Sequence, residues 1–233
     1  MKITESHIQD LYKFTRKHFV EHYDVQTELV DHLANDIEQI WETKPQLTFQ
    51  EARAISFKKF GVFGFSTIVD KRSKALGKKY NKILWRFFKE WFQLPKIILT
   101  SLIFLLFYTV LSYEEGKTIL YIFLLVFALY EIYRGVKLRK EQKRRFKTTG
   151  KKWMLEEMIF TTAGSIGILA PVNTYNLFSI SDIEVFFTSN IYALLLASIL
   201  LTIMTISVHI IMNVIPLKAE ELLAETYPEY KIQ

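Results

Sequence analysis

The chain has no cysteine among its 233 residues, which excludes disulfides, thiol nucleophiles and thiolate-bound metals. The first ten residues are polar and lack the apolar core of a cleavable signal peptide, so the first membrane segment is expected to act as its own insertion signal. No glycine-rich phosphate loop and no nucleophile motif is present. Residues 173–190 contain neither Lys nor Arg, and the same is true of residues 21–42. These gaps in positive charge matter because the chain as a whole carries a net charge of +6. Its cations must therefore be concentrated elsewhere, where they can mark nucleic acid, an anionic surface or membrane topology.

The hydrophobic content of 50% does not by itself separate a membrane protein from a soluble one. Its distribution does, because apolar residues crowd into roughly the last 140 positions and charges into the first 90 and one later loop, residues 134–152. Residues 94–113 form an apolar run whose only charge, Lys96, lies near one end. A length of about 20 residues suits a hydrocarbon core of about 30 Å at 1.5 Å per residue. Residues 118–136 and 191–215 are two further runs. A weaker one, 154–172, opens on Glu156 and Glu157 and contains Gly164, Gly167 and Pro171. It is expected to span, with a re-entrant or interfacial helix as the alternative.

Orientation follows from the cations. Residues 134–152 hold Arg134, Lys137, Arg139, Lys140, Lys143, Arg144, Arg145, Lys147, Lys151 and Lys152, and the stretch before residue 94 is similarly basic. Four spans put both basic stretches and both termini on the cytoplasmic side, and both cation-poor loops outside. Trp85, Trp91 and Trp153 then fall at the inner boundaries, where amphipathic aromatics settle. Arg139, Lys140, Lys143, Arg144 and Arg145 are the expected contacts to anionic membrane lipid. Nucleic acid is not expected, since no helix-turn-helix or aromatic-rich strand accompanies these charges.

The N-terminal part reads as short helices. Ile8, Leu11, Tyr12, Phe14, Phe19 and Val20 give an irregular helical stripe. Asp24 is placed to cap a second helix, in which Leu29, Val30, Leu33, Ile37, Ile40 and Trp41 recur at helical spacing and which Pro45 ends. Thr48-Phe-Gln-Glu51 is a capping box for a third helix burying Phe49, Ala52, Ile55, Ser56 and Phe60, with Gly61 closing it in the left-handed conformation. Another helix from about Phe65 leads to an interfacial amphipathic stretch around residues 83–92.

Glu28-Leu-Val-Asp-His32, then Thr48-Phe-Gln-Glu-Ala52, then Phe60-Gly61 is similar to the pattern of bacterial HAAS-type domains. The resemblance covers roughly the first 75 residues. It implies a small helical module preceding membrane helices, in proteins often encoded beside PadR-like transcription regulators, and so a regulatory setting rather than a reaction. The membrane half resembles no family in this way.

Four groups of residues stand out as candidate sites. Glu28, Asp31, His32 and Asp36 share one helical surface and are the expected partner-binding site. Seven acids lie between residues 21 and 42, and such a one-signed face suits a basic partner or the chain's own basic stretch. Glu131 and His209 are the deepest ionisable groups of the apolar runs. Both lie toward the cytoplasmic ends, where snorkelling, or pairing of Glu131 with Arg134, is the simpler role. His18-Phe-Val-Glu21-His22 matches an inverted zinc-peptidase pattern, but no third ligand is apparent, and neither a metal nor a catalytic residue is expected. Ala163 and Gly167 form a small-residue face that permits close packing within the bundle; a homo-oligomer stays open.

The expected protein is all-α. It has a cytosolic helical domain (1–77), a basic amphipathic linker (78–93), a four-helix transmembrane bundle (94–216) and a short cytosolic tail (217–233). The expected role is a membrane-anchored regulator or adaptor of the cytoplasmic membrane, without cofactor and not an enzyme. The rival readings are a small transporter or transporter accessory, with Glu131 and His209 on its pathway, and an intramembrane or metal-dependent enzyme.

Overall fold

The structure, a computed structural model, describes residues 2–113, 115–178 and 190–232. Every element in them is helical: α1 (Glu5–Lys17), α2 (Tyr23–Thr43), α3 (Phe49–Lys58), α4 (Ser66–Glu90), α5 (Lys96–Ser112), α6 (Gly116–Thr149), α7 (Met154–Phe178), α8 (Ile191–His209) and α9 (Ala219–Thr226), with short helical turns after α8 and α9. The chain divides into two compact units, Met1–Lys79 with Thr149–Glu156, and Tyr80–Thr148 with Glu157–Gln233. The first differs from the expected 1–77 domain by drawing in the segment after α6.

In the first unit α2 supplies the core. Val25, Leu29, Val30, Leu33, Ile37, Ile40 and Trp41 are all buried, and the Trp41 indole N–H donates to the Leu47 carbonyl at 3.0 Å. Leu11 of α1 and Phe49 and Ala52 of α3 are buried with them. Full burial of each such side chain contributes on the order of 2 kcal/mol. The Thr48 capping box forms as its spacing predicts: the hydroxyl accepts from Glu51 N–H, and the Glu51 carboxylate accepts from Thr48 N–H at 2.9 Å. Gly61 is left-handed, at φ 74°.

Three local expectations differ. Helix α3 ends at Lys58, so Phe60 lies past its end, and Phe60 and Ile55 are only half-buried. Helix α1 stops at Lys17, so Phe19 leaves the helical stripe: it adopts φ 63° and is 91% exposed. Asp24 does not cap its own helix, because α2 begins one residue before it, at Tyr23. Its buried carboxylate instead accepts from Met154 N–H, the first residue of α7, at 3.1 Å.

In the second unit side-chain contacts fix the helix directions. Trp91 meets His209 and Phe107 packs with Leu201, so α5 and α8 run antiparallel. Leu124 packs with Leu201, and Tyr130 and Arg134 reach Asn213, so α6 and α8 run parallel. Arg145 lies over Phe160 and Gly135 approaches Gly164, so α6 and α7 are antiparallel. Helix α6 is unbroken for 34 residues, roughly 50 Å. The basic stretch 134–149, read from sequence as loop, is its second half. Lys, Arg, Glu and Gln are good helix formers, the Glu141–Arg144 pair spans one turn, and the helix stops at left-handed Gly150. Thr118–Thr149 and Ile191–Leu217 are long and apolar enough to cross a membrane; Lys96–Ser112 is apolar but shorter.

Candidate functional site

The α2 surface emerges from its own helix periodicity. Leu29, Leu33 and Ile37 turn into the core, which leaves Asp31 and His32 on the exposed side and Asp36 at its margin. A cleft of about 430 Å³ opens beside it, lined by His32, Asp36, Gln39, Ser56, Lys59, Phe60 and Ile68. His32 and Asp36 thus meet residues of α3 and α4 there. The Lys59 ammonium closes on the Asp36 carboxylate across the cleft. Burial raises the Asp36 carboxyl, but hydrogen bonds from Lys59 and Ser56 and the Lys59 charge together outweigh it and hold its pKa below the usual value.

The acids of residues 21–42 are shared out more widely than the sequence indicates. Glu28 pairs with Arg72 at 3.8 Å, and Glu38 accepts from Ile3 N–H at 2.9 Å. Glu21 receives the Lys152 ammonium at 2.8 Å, and this hydrogen bond holds its pKa below the usual range. Around that pair, Tyr23 N–H donates to the Lys152 carbonyl at 2.7 Å, and the Lys151 ammonium lies 4.5 Å from the Tyr23 ring centre. Trp153 stands edge-on to the same ring at 5.3 Å. Trp153 is therefore a core residue of this unit rather than an interfacial anchor. Of the seven acids, Asp31 and Glu42 have no ion-pair or hydrogen-bond partner among the described residues. The relieving cations come from the end of α3, from α4 and from the segment after α6, at Lys59, Arg72 and Lys152, so no pattern within α2 announces them.

The remaining candidates separate. His18 and His22 do not share a helical face: His18 caps the end of α1 and packs against Phe57 at 4.4 Å, whereas His22 precedes α2. Among the described residues no group of three or more His, Asp or Glu could hold a metal ion. Glu131 is fully buried, and neither carboxyl oxygen has a hydrogen-bond partner among the described residues. The expected Arg134 pairing is not formed, because Arg134 donates to Asn213 Oδ1 at 3.0 Å, as does the Tyr130 hydroxyl. Asn213 sits in a π-helical turn, Ile210–Val214, a deviation that sequence reasoning missed. His209 packs edge-on against Trp91 at 5.5 Å.

Of the basic group, Arg139 lies against Gly164, Arg144 pairs with Glu141, and Arg145 bonds Glu220 at 3.1 Å and the Tyr230 hydroxyl at 3.3 Å. Lys140 and Lys143 are exposed. Ala163 is fully buried, while the surroundings of Gly167 lie outside the described residues; the close helix approach that is described is Gly135 to Gly164. Neither protein-family models, curated proteins nor solved structures match this chain.

Proposed function

We propose that the chain is a membrane-anchored adaptor of the cytoplasmic membrane: a helical module whose α2 surface recruits a basic protein partner, carried on a four-span helical domain with both termini cytoplasmic. The observation that carries the membrane part is the outer face of the second unit. Ile98, Leu102, Leu105 and Leu106 of α5, Ile122, Leu125, Val126 and Leu129 of α6, and Leu196, Ile199 and Leu200 of α8 are all largely exposed. Water-soluble monomers rarely expose apolar patches beyond a few hundred Å², and lipid is the solvent this surface suits. The alternating directions of α5, α6, α7 and α8 agree with four crossings, and the cation distribution gives their sense.

The adaptor part rests on Asp31 and Glu42, which remain on the surface when the other acids of α2 are engaged, and on His32, which lines the cleft. The resemblance of this region to HAAS-type modules supports a regulatory setting. Lys143→Cys and Asn190→Cys, made singly, should label from opposite sides with an impermeant maleimide; labelling from one side would refute the four-span arrangement. Asp31→Lys with Glu42→Lys should abolish a salt-sensitive association of the native chain while membrane insertion persists. Partners retained unchanged would refute the adaptor reading.

A further inference from the structure

The first unit exposes three large apolar side chains beside an aromatic cluster. Phe19 is 91% exposed, Val62 98% and Phe63 75%. They belong to two loops, residues 18–22 between α1 and α2 and residues 59–65 between α3 and α4. Both loops close on the same rings: His18 lies 4.4 Å from Phe57 and 5.8 Å from Phe65, and Phe60 lies 4.9 Å from Phe65. The cluster anchors the loop bases and leaves the tips outside the core. The backbone is bent to do so, since Phe19 takes a left-handed φ of 63° that a phenylalanine rarely adopts, and Gly61 and Gly64 are left-handed as well.

Charge says what covers the tips. Arg16, Lys17, Lys58 and Lys59 flank them; the one acid of the first loop, Glu21, is held by Lys152, and residues 57–65 contain no Asp or Glu. Lys59 is turned to Asp36, which leaves Arg16, Lys17 and Lys58 exposed around the apolar tips. A protein groove complementary to such tips would need its own acids. A bilayer with anionic headgroups supplies an apolar interior and a negative surface in the same plane.

We infer that these two loops form a lipid-insertion surface, with Phe19, Val62 and Phe63 entering the interfacial zone of an anionic bilayer and Arg16, Lys17 and Lys58 meeting lipid phosphates. This orients the module on the bilayer through its loops. It rests on the chain residing in a membrane, and the experiment keeps the two apart.

The absence of cysteine makes single-site labelling clean. The full chain carrying Val62→Cys, or Gln50→Cys as a control, is labelled with an environment-sensitive fluorophore and placed in nanodiscs of phosphatidylcholine with or without phosphatidylglycerol. Both lipid mixtures also contain a chain-borne spin-label quencher. The expected result is a blue-shifted, quenched signal at position 62 with phosphatidylglycerol, weakened without it, and no change at position 50. Lys17→Gln and Lys58→Gln should each weaken the anionic-lipid dependence roughly fivefold, one cation being removed. Quenching that is equal in both lipids, or absent in both, overturns the inference. A blue shift without quenching signifies a protein contact and overturns it too. Failure to enter nanodiscs at all overturns the membrane reading, and this inference with it.

Discussion

Replacing Trp153 by alanine should unfasten the segment after α6 from the first unit. The Trp153 ring is 1% exposed and stands edge-on to Tyr23, and Leu155 beside it is fully buried. Truncating a buried tryptophan costs about 3–5 kcal/mol, a large share of the roughly 5–15 kcal/mol that holds a domain folded. The neighbouring Lys152–Glu21 pair is another matter. The Glu21 side chain is 69% exposed, and such pairs contribute at most about 1 kcal/mol. Hydrogen exchange by mass spectrometry on the intact chain reads the difference at α2, whose Tyr23 amide is bonded to Lys152. If exchange proceeds through unfolding of this unit, Trp153→Ala should speed it roughly a hundred- to several-thousandfold, and Lys152→Ala by less than about tenfold. The reverse order would show that charge rather than packing holds the segment, and the reasoning would fail.

Thr48→Ala should destabilise the first unit by about 1 kcal/mol in thermal melts, with Thr48→Ser nearly neutral. Glu21, Asp36 and Glu51 all titrate below their ordinary values, held there by Lys152, Lys59 and the Thr48 amide. Their contribution is therefore complete above the ordinary glutamate value of 4.5 and is lost as pH falls through the depressed ones; helicity followed through an acid titration should show this unit weakening there. Gly135→Ala should be tolerated, because its Cβ would meet Gly164 at an ordinary 3.9 Å, whereas Gly135→Leu should separate α6 from α7 and lower the melting temperature of the detergent-solubilised chain. Asn213→Leu removes the acceptor of both Tyr130 and Arg134 and should cost about 1–3 kcal/mol in the same assay.

Features set by neighbours in sequence were legible there. The α2 stripe, the Thr48 box and the turn at Gly61 each depend on residues within a few positions of one another. Charge concealed more than it revealed. The cations of residues 134–149 look like a loop to a reader seeking topology signals, yet nothing in their backbone preference interrupts a helix. The candidate site was legible only as a set of residues on one face. Which of its acids remain on offer depends on Arg72, Lys59 and Lys152, and on an Asp24 contact made across 130 positions of sequence. Phe19 was misplaced because an apolar residue just past a helix end fits the stripe equally well until the backbone turns left-handed.

The chain joins its two units at three places: within α4, between Thr148 and Thr149, and between Glu156 and Glu157. The first unit is therefore not a bead at one end of the chain. The segment 149–156 folds back onto Tyr23 and Asp24 within it, so no single cut releases it, and deleting it would sever α6 from α7 as well.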